Sequence, residues 1–189
     1  MVIEKPVIDS EMRLWTGLHL VPGLYVLESN AGQMGSSLEW IARMMHVEAP
    51  NPAAVLVAEA EAAQPGAHGT LSTIGAAVFN ASALSLPVDT LTFTSVNVRP
   101  GDEGRADLAR AILEGMAYAV RANIEQITAL THSPFPLGDG SGVRAAGGAL
   151  REIWLGGGIT RSALWTQIVS DVLGCRVHVS ASSEATALG

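Results

Sequence analysis

The sequence predicts an α/β lobe, an open mixed sheet with helices on both faces. Three observations carry that prediction. Three short extended segments open the chain within residues 2–27. Helical and extended segments alternate after them. A strand, a triple-glycine turn and a helix then run consecutively from Glu152 to Leu173. Successive strands followed by αβ alternation belong to layered domains in which helices cover a sheet.

The opening strands are Val2–Val7, Arg13–Leu20 and Leu24–Leu27, separated at Asp9-Ser10 and at Pro22-Gly23. Proline fixes φ and glycine accepts positive φ, so Pro22-Gly23 is a turn, and strands this close predict an antiparallel meander. From Ala31 the period changes. Met34, Leu38, Ile41 and Met45 recur at helical spacing with Trp40 beside them, and Asn30 stands where a cap is needed. A second helix is expected over Pro52–Ala63, with Pro52 in its first turn and Gln64–Gly69 closing it.

Thr70–Ile74, Ala76–Phe79 and Thr90–Val98 read as extended. A long helix then begins at Arg105 or Asp107. Leu108, Ile112, Met116, Val120, Ile124 and Ile127 trace its apolar stripe, and Arg110, Glu114, Arg121 and Glu125 mark its polar side. A glycine inside a helix costs about 1 kcal/mol relative to alanine, so Gly115 predicts close packing against a neighbour. Residues 131–150, with Pro134, Pro136 and a glycine-rich run at 138–142, predict a loop. The strand Glu152–Leu155 follows, then Gly156, Gly157 and Gly158, then a helix opening near Thr160 to Ser162. That helix buries Leu164, Trp165, Ile168, Val169 and Val172, and Gly174 stops it. Trp154 and Trp165 read as core residues rather than as base-stacking ones. A strand over Arg176–Val179 and a helix beginning at Ser183–Leu188 complete the order. The sequence stops inside that helix's first turns, which predicts a piece of a longer protein.

Composition narrows the function. The chain has 189 residues, enough for one domain with a real core. Apolar residues make up 48% and charged ones 15%, with a mean hydropathy of +0.30, yet no apolar run approaches the roughly 20 residues a membrane-spanning helix needs. Met1–Pro6 has no basic flank leading into an apolar stretch, so a secretory signal is not expected and the reading is cytoplasmic. The net charge is −7 and Lys5 is the only lysine, which argues against nucleic acid. One cysteine, Cys175, excludes an internal disulfide and reads as a small packing residue. His19, His46, His68, His132 and His178 show no pair at metal-ligand spacing, so no metal ligand is assigned. Asn80-Ala-Ser82 matches a glycosylation acceptor, a chance match in a chain with no sign of secretion.

The triple-glycine turn carries the chemistry. Glycines between strand and helix let a ligand approach the main chain, and the N–H groups of a helix's first turn favour anionic or strongly polar groups. That suits a nucleotide; the alternative is a tight connection with nothing bound. Ser162 has two readings as well, a ligand-contacting hydroxyl or a helix cap.

Three blocks together resemble the C-terminal lobe of the FGGY carbohydrate kinases. They are Leu155-Gly-Gly-Gly158 with Ser162, Leu164, Trp165, Gln167 and Gly174, followed by Val177 and Glu184–Gly189; Asp107–Gly115 with Ala117–Arg121; and Asn30-Ala-Gly32 with Ser37–Trp40. They fall in family order over residues 10–189. The resemblance implies a ribonuclease-H-like lobe of the actin-like ATPase superfamily, spanning 1–189 and lacking the N-terminal lobe and the last helix. It implies a two-lobed enzyme that transfers the ATP γ-phosphate to a sugar or polyol hydroxyl with Mg2+. Gly156, Gly157 and Gly158 would line the adenosine pocket and Ser162 would lie near the ribose. The general base, the phosphate loops and the Mg2+ ligands of such enzymes lie upstream, so no catalytic residue is assigned. Asp9, Asp89, Asp102 and Asp139 stand outside the family's catalytic context. The expected partners are the N-terminal lobe and a sugar or polyol, with a homodimer also admitted. Thr70–Gly75 departs from the family's Tyr-Leu-x-Gly-Glu-Arg-x-Pro run, which leaves the sugar open and leans toward the family's autoinducer kinases. The alternative is a non-catalytic interaction module or pseudokinase lobe.

Overall fold

The computed structural model describes residues 1–74, 77–83, 91–96, 98, 103–131, 143–146 and 149–180, with 83, 143–146 and 149–151 described by backbone alone. Asp89, Asp102, His132, Asp139, the glycine-rich run at 138–142 and the helix expected from Ser183 lie outside these residues, as do parts of the segments at 76–79 and 90–98.

Strands β1 (Val2–Ile3), β2 (Trp15–Leu18) and β3 (Tyr25–Glu28) form one antiparallel sheet in the order β1-β3-β2. The strands are shorter than predicted, and the last occupies the centre, so this is not a meander. Asp9 shapes the turn that follows the first segment. Its carboxylate accepts hydrogen bonds from Arg13 N, Nε and Nη2, folding residues 9–13 into a turn. Those bonds hold the Asp9 carboxyl well below the usual carboxylate range.

Helix α1 (Met34–Met45) buries Leu38, Ile41 and Ala42, while Trp40 faces solvent. Asn30 is not its cap. Its side chain closes a turn by accepting from Gly32 N, and Gln33 precedes the helix without a side-chain cap. Helix α2 (Pro52–Glu61) has Pro52 in its first turn, and Asn51 caps it through Ala54 N. Beyond it, β4 (Leu71–Ser72) and β5 (Phe93–Thr94) form a two-stranded antiparallel sheet. Residues 77–79 are not strand, and a 3-10 turn follows over Ala81–Ala83.

Helix α3 (Glu103–Thr131) is 29 residues long, roughly 43 Å at 1.5 Å per residue, and starts earlier than predicted. It joins two cores. One gathers α1, α2, the first half of α3, Ile153, Trp165, Ile168, Val169 and Cys175. The other sets Ile3, Leu14 and Leu27 against Ile127. The predicted stripe holds at Ile112, Met116 and Ile127; Leu108, Val120 and Ile124 are half-buried, and Ala109, Leu113 and Ala117 are buried beside them. Arg110 and Glu114, expected on the wet side, are buried. Neighbours surround this helix, so a polar position is buried wherever its charge has a partner.

The last sheet is mixed. Strands β6 (Val143–Ala146) and β7 (Ala149–Leu155) pair antiparallel, and β7 pairs parallel with β8 (Arg176–Val179). Helix α4 (Ala163–Leu173) makes the β7–β8 crossover. Among the described residues, no helix is long and apolar enough to cross a membrane.

Gly115 marks a close approach of α3 to β4. A Cβ built there would lie 2.3 Å from the main-chain oxygen of Ser72. Gly115→Ala is therefore expected to destabilise by about 1–3 kcal/mol, because backbone must shift to admit the methyl. Gly35→Ala in α1, where a Cβ meets nothing within 4 Å, is expected to be neutral or stabilising. Urea unfolding of the two variants against the wild type measures both.

Candidate nucleotide site

The parallel pair β7–β8 defines an end of the sheet at which a ligand is expected, since open α/β sheets bind ligands beyond the carboxyl ends of their strands. Leu155 faces Val179 at that end, and Ser180 N donates to Leu155 O at 3.0 Å, closing the ladder. Gly156, Gly157 and Gly158 leave the sheet from this point.

Gly157 has φ +94 and ψ 174, a region that only glycine occupies without strain. A Cβ at Gly157 or Gly158 would meet nothing within 4 Å. The space above this main chain is open, and it is the space that any side chain would fill. Gly156 and Gly158 are exposed and Gly157 is half-buried. Flat, uncharged main chain beside open space suits an aromatic base, so the residues present fit a nucleotide.

The turn does not run straight into the helix. A 3-10 turn over Gly158–Arg161 intervenes, and α4 begins at Ala163 rather than near Thr160. Thr160, expected only as the opening of the helix, fixes the bend: its Oγ1 and N donate to Gly157 O at 2.7 and 3.2 Å. The only sequence signal was a threonine three residues after a glycine, a weak turn marker. Ser162 is the N-cap of α4, with its Oγ accepting from Trp165 N at 3.0 Å. One first-turn N–H is therefore occupied by the protein itself, which weakens the anion site expected there. The Ser162 hydroxyl proton is not used by that bond.

Around the turn, Trp165 is core, as predicted, and Trp154 is not. Trp154 is 58% exposed and stacks on His178 with ring centroids 4.8 Å apart. Alternation along β7 explains the difference, because Ile153 takes the core side and Trp154 must take the other. His178 Nε2 lies 3.0 Å from Glu152 Oε2. The other described histidines also have local partners: His19 accepts from Val21 N, His46 Nδ1 faces Arg105, and His68 Nδ1 faces Asp107. Among the described residues no group of three His, Cys, Asp or Glu could hold a metal ion.

A separate shallow cleft lies on the α3–α4 seam, lined by Glu114, Tyr118, Arg121, Ile168, Asp171 and Val172. It belongs to helix packing, away from the glycine turn. Arg121 crosses it to donate to Val172 O at 3.1 Å, at the end of α4 where carbonyls favour a cation. Burial, with a contribution from Glu114, pushes the Tyr118 phenol up.

The chain belongs to the FGGY family of carbohydrate kinases: the model of that family's C-terminal domain matches residues 1–189. The autoinducer-2 kinase of Salmonella paratyphi A is 30% identical over 99% of this chain and 33% of its own length. That of Yersinia pestis is 27% identical over the same shares. Among solved structures, xylulose kinase from Rhodospirillum rubrum superimposes with a TM-score of 0.65 at 27% identity, covering 95% of this chain and 33% of that one. Plasmodium falciparum glycerol kinase with ADP gives a TM-score of 0.68 at 18% identity, covering 99% and 34%, a likeness of fold. The chain spans about a third of the length of the relatives it matches. The predicted actin-like ATPase lobe is the fold observed.

Two outcomes follow from this geometry. Ser162→Ala is expected to lower stability by about 1 kcal/mol while Ser162→Asp retains it, as thermal unfolding would read. Burial pushes the Cys175 thiol up, so a disulfide reagent at mildly alkaline pH should label it slowly in the native protein and rapidly in urea.

Proposed function

We propose that this chain is the nucleotide-contacting lobe of an ATP-dependent carbohydrate kinase. Gly156, Gly157 and Gly158 would take the adenine against bare main chain, and Ser162 would offer its hydroxyl proton to the ribose. The observation that carries this reading is Gly157 at φ +94 with open space beside it, at the carboxyl end of a parallel strand pair. ATP would supply the transferable γ-phosphate. This chain's part is to seat the base and sugar, through main chain, in a fixed position. Phosphoryl transfer depends on positioning and on charge neutralisation around the γ-phosphate. We assign the phosphate grip, the Mg2+ ligands and the general base to the remaining part of a two-lobed enzyme. The site is then cytoplasmic, and the acceptor is a sugar or polyol hydroxyl.

Within that class, a small autoinducer-like acceptor is favoured over a common sugar. Support comes from the autoinducer-2 kinases, 27–30% identical along 96–99% of this chain, and from Thr70–Gly75, which lacks the Gly-Glu-Arg run.

Calorimetric titration of residues 1–189 with ATP tests the nucleotide reading. Weak but measurable binding is expected in the wild type and loss of it in Gly158→Val, where the added Cβ meets nothing within 4 Å, with circular dichroism checking that the fold is kept. Binding unchanged by that substitution overturns the site. Phosphoryl transfer by this chain alone, to any polyol, overturns the two-lobe assignment.

A further inference from the structure

Three glycines in succession are the least constrained backbone a chain can offer, since each accepts positive and negative φ alike. Gly157 nevertheless takes one conformation, at φ +94 and ψ 174. A neighbour selects it. The Gly157 carbonyl accepts two hydrogen bonds from a single residue, from Thr160 Oγ1 at 2.7 Å and from Thr160 N at 3.2 Å. The hydroxyl bond has the usual O–H···O length, while the amide bond lies at the long end for N–H···O. The side chain is therefore the firmer of the two holds.

Thr160 can act as a clamp because it is fixed from both sides. Before it, Ile159 packs against the main core. After it, Ser162 N donates to Ile159 O at 3.1 Å, and Ser162 Oγ caps α4 through Trp165 N. A β-branched side chain has few rotamers, so the threonine hydroxyl loses little freedom in reaching its acceptor. A trans peptide group is planar, with its C=O and N–H pointing in opposite directions. Holding Gly157 O toward Thr160 therefore turns Gly158 N–H the other way and fixes the plane that Gly157 and Gly158 share.

We propose that Thr160 is a positioning residue for the nucleotide: acting through Gly157 rather than on the ligand, its hydroxyl holds the Gly157–Gly158 peptide in the orientation that receives the adenine. This rests on the nucleotide reading of the turn. A ligand that needs one conformation of a segment binds more weakly in proportion as that conformation is less populated. With the hydroxyl in place, the turn stands ready before the nucleotide arrives. Without it, the long amide bond alone holds the carbonyl, and the glycines return to their wider range. The lobe thus combines bare main chain, which only glycine supplies, with a stiffness that glycine lacks.

Thr160→Val deletes the hydroxyl and keeps the branched shape and the amide donor. Calorimetric titration of residues 1–189 with ATP is expected to show the dissociation constant raised about five- to tenfold, the scale of one neutral hydrogen bond. Thr160→Ser restores the hydroxyl and is expected to bind within about twofold of the wild type. Thr166→Val is the matched control, since Thr166 Oγ1 donates to Ser162 O at 3.1 Å, a main-chain carbonyl of the same segment outside the glycine turn. Thermal unfolding should shift about equally in the two valine variants, while ATP affinity stays within about twofold of the wild type in Thr166→Val. If Thr160→Val binds as the wild type does while Gly158→Val loses binding, the clamp is overturned and the nucleotide site stands. Equal losses in Thr160→Val and Thr166→Val, or no recovery in Thr160→Ser, also overturn the clamp, because either marks a general loosening of the segment. Binding that Gly158→Val leaves unchanged removes the nucleotide reading, and the clamp with it.

Discussion

The Arg110–Glu114 pair, buried on α3 with Nε and Oε1 2.8 Å apart, holds this lobe at its centre. Burying two charges is unfavourable unless further hydrogen bonds compensate, and removal of one partner would leave the other stranded. Compensation comes from the chain between α2 and β4. Gly66 N donates to Glu114 Oε1 at 2.9 Å, and Arg110 reaches Ala63 O at 3.4 Å. Further along the same helix, Asn123 accepts from Phe79 N and Ser29 Oγ and donates to Ala77 O, while Gln126 donates to Arg13 O and Phe79 O. The helix thus holds the irregular segments by their main chain, and its apolar residues hold α1, α2 and α4. Polar and apolar grips sit on one rigid element, which holds residues 13, 29, 66, 77 and 79, all outside regular secondary structure.

This arrangement divides labour across the lobe. The glycine turn needs a sheet end that does not move, and α4 and α3 supply it from behind: Trp165, Ile168 and Val169 pack into the core that α3 organises. The site's residues contribute little packing themselves. Their value lies in what they leave open.

Periodicity made α1, α3 and α4 legible, because each buries a stripe against a core and the spacing of apolar residues records that contact directly. Pro52 and Gly174 marked ends for local reasons that a sequence carries in full. Pairing was harder to read. The order β1-β3-β2 depends on which strand Ile3 and Leu14 meet across Ile127, a relation between residues far apart in sequence. Arg110 and Glu114 were misplaced for a similar reason: i,i+4 opposite charges look the same on a wet face and in a buried pair, and only the contact with Gly66 and Ala63 distinguishes them. At the site, the glycines were evident, while the role of Thr160 and the separation of the 3-10 turn from α4 were not. Trp154 followed from alternation that the short strand was too brief to declare.

Residues 66–69 all have positive φ: 84° at Gly66, 44° at Ala67, 50° at His68 and 88° at Gly69. For Ala67 and His68 that winding is opposed by their own Cβ atoms, at roughly 1–2 kcal/mol each. Local hydrogen bonds offset it in part, Gly69 N donating to Gly66 O at 2.7 Å and Thr70 N to Ala67 O at 3.0 Å. Further compensation lies on α3, in Glu114 for Gly66 and in buried Asp107 for the His68 ring. This left-handed coil is thus moored to side chains 48 and 39 residues further along the chain, and loosening the long helix would release it.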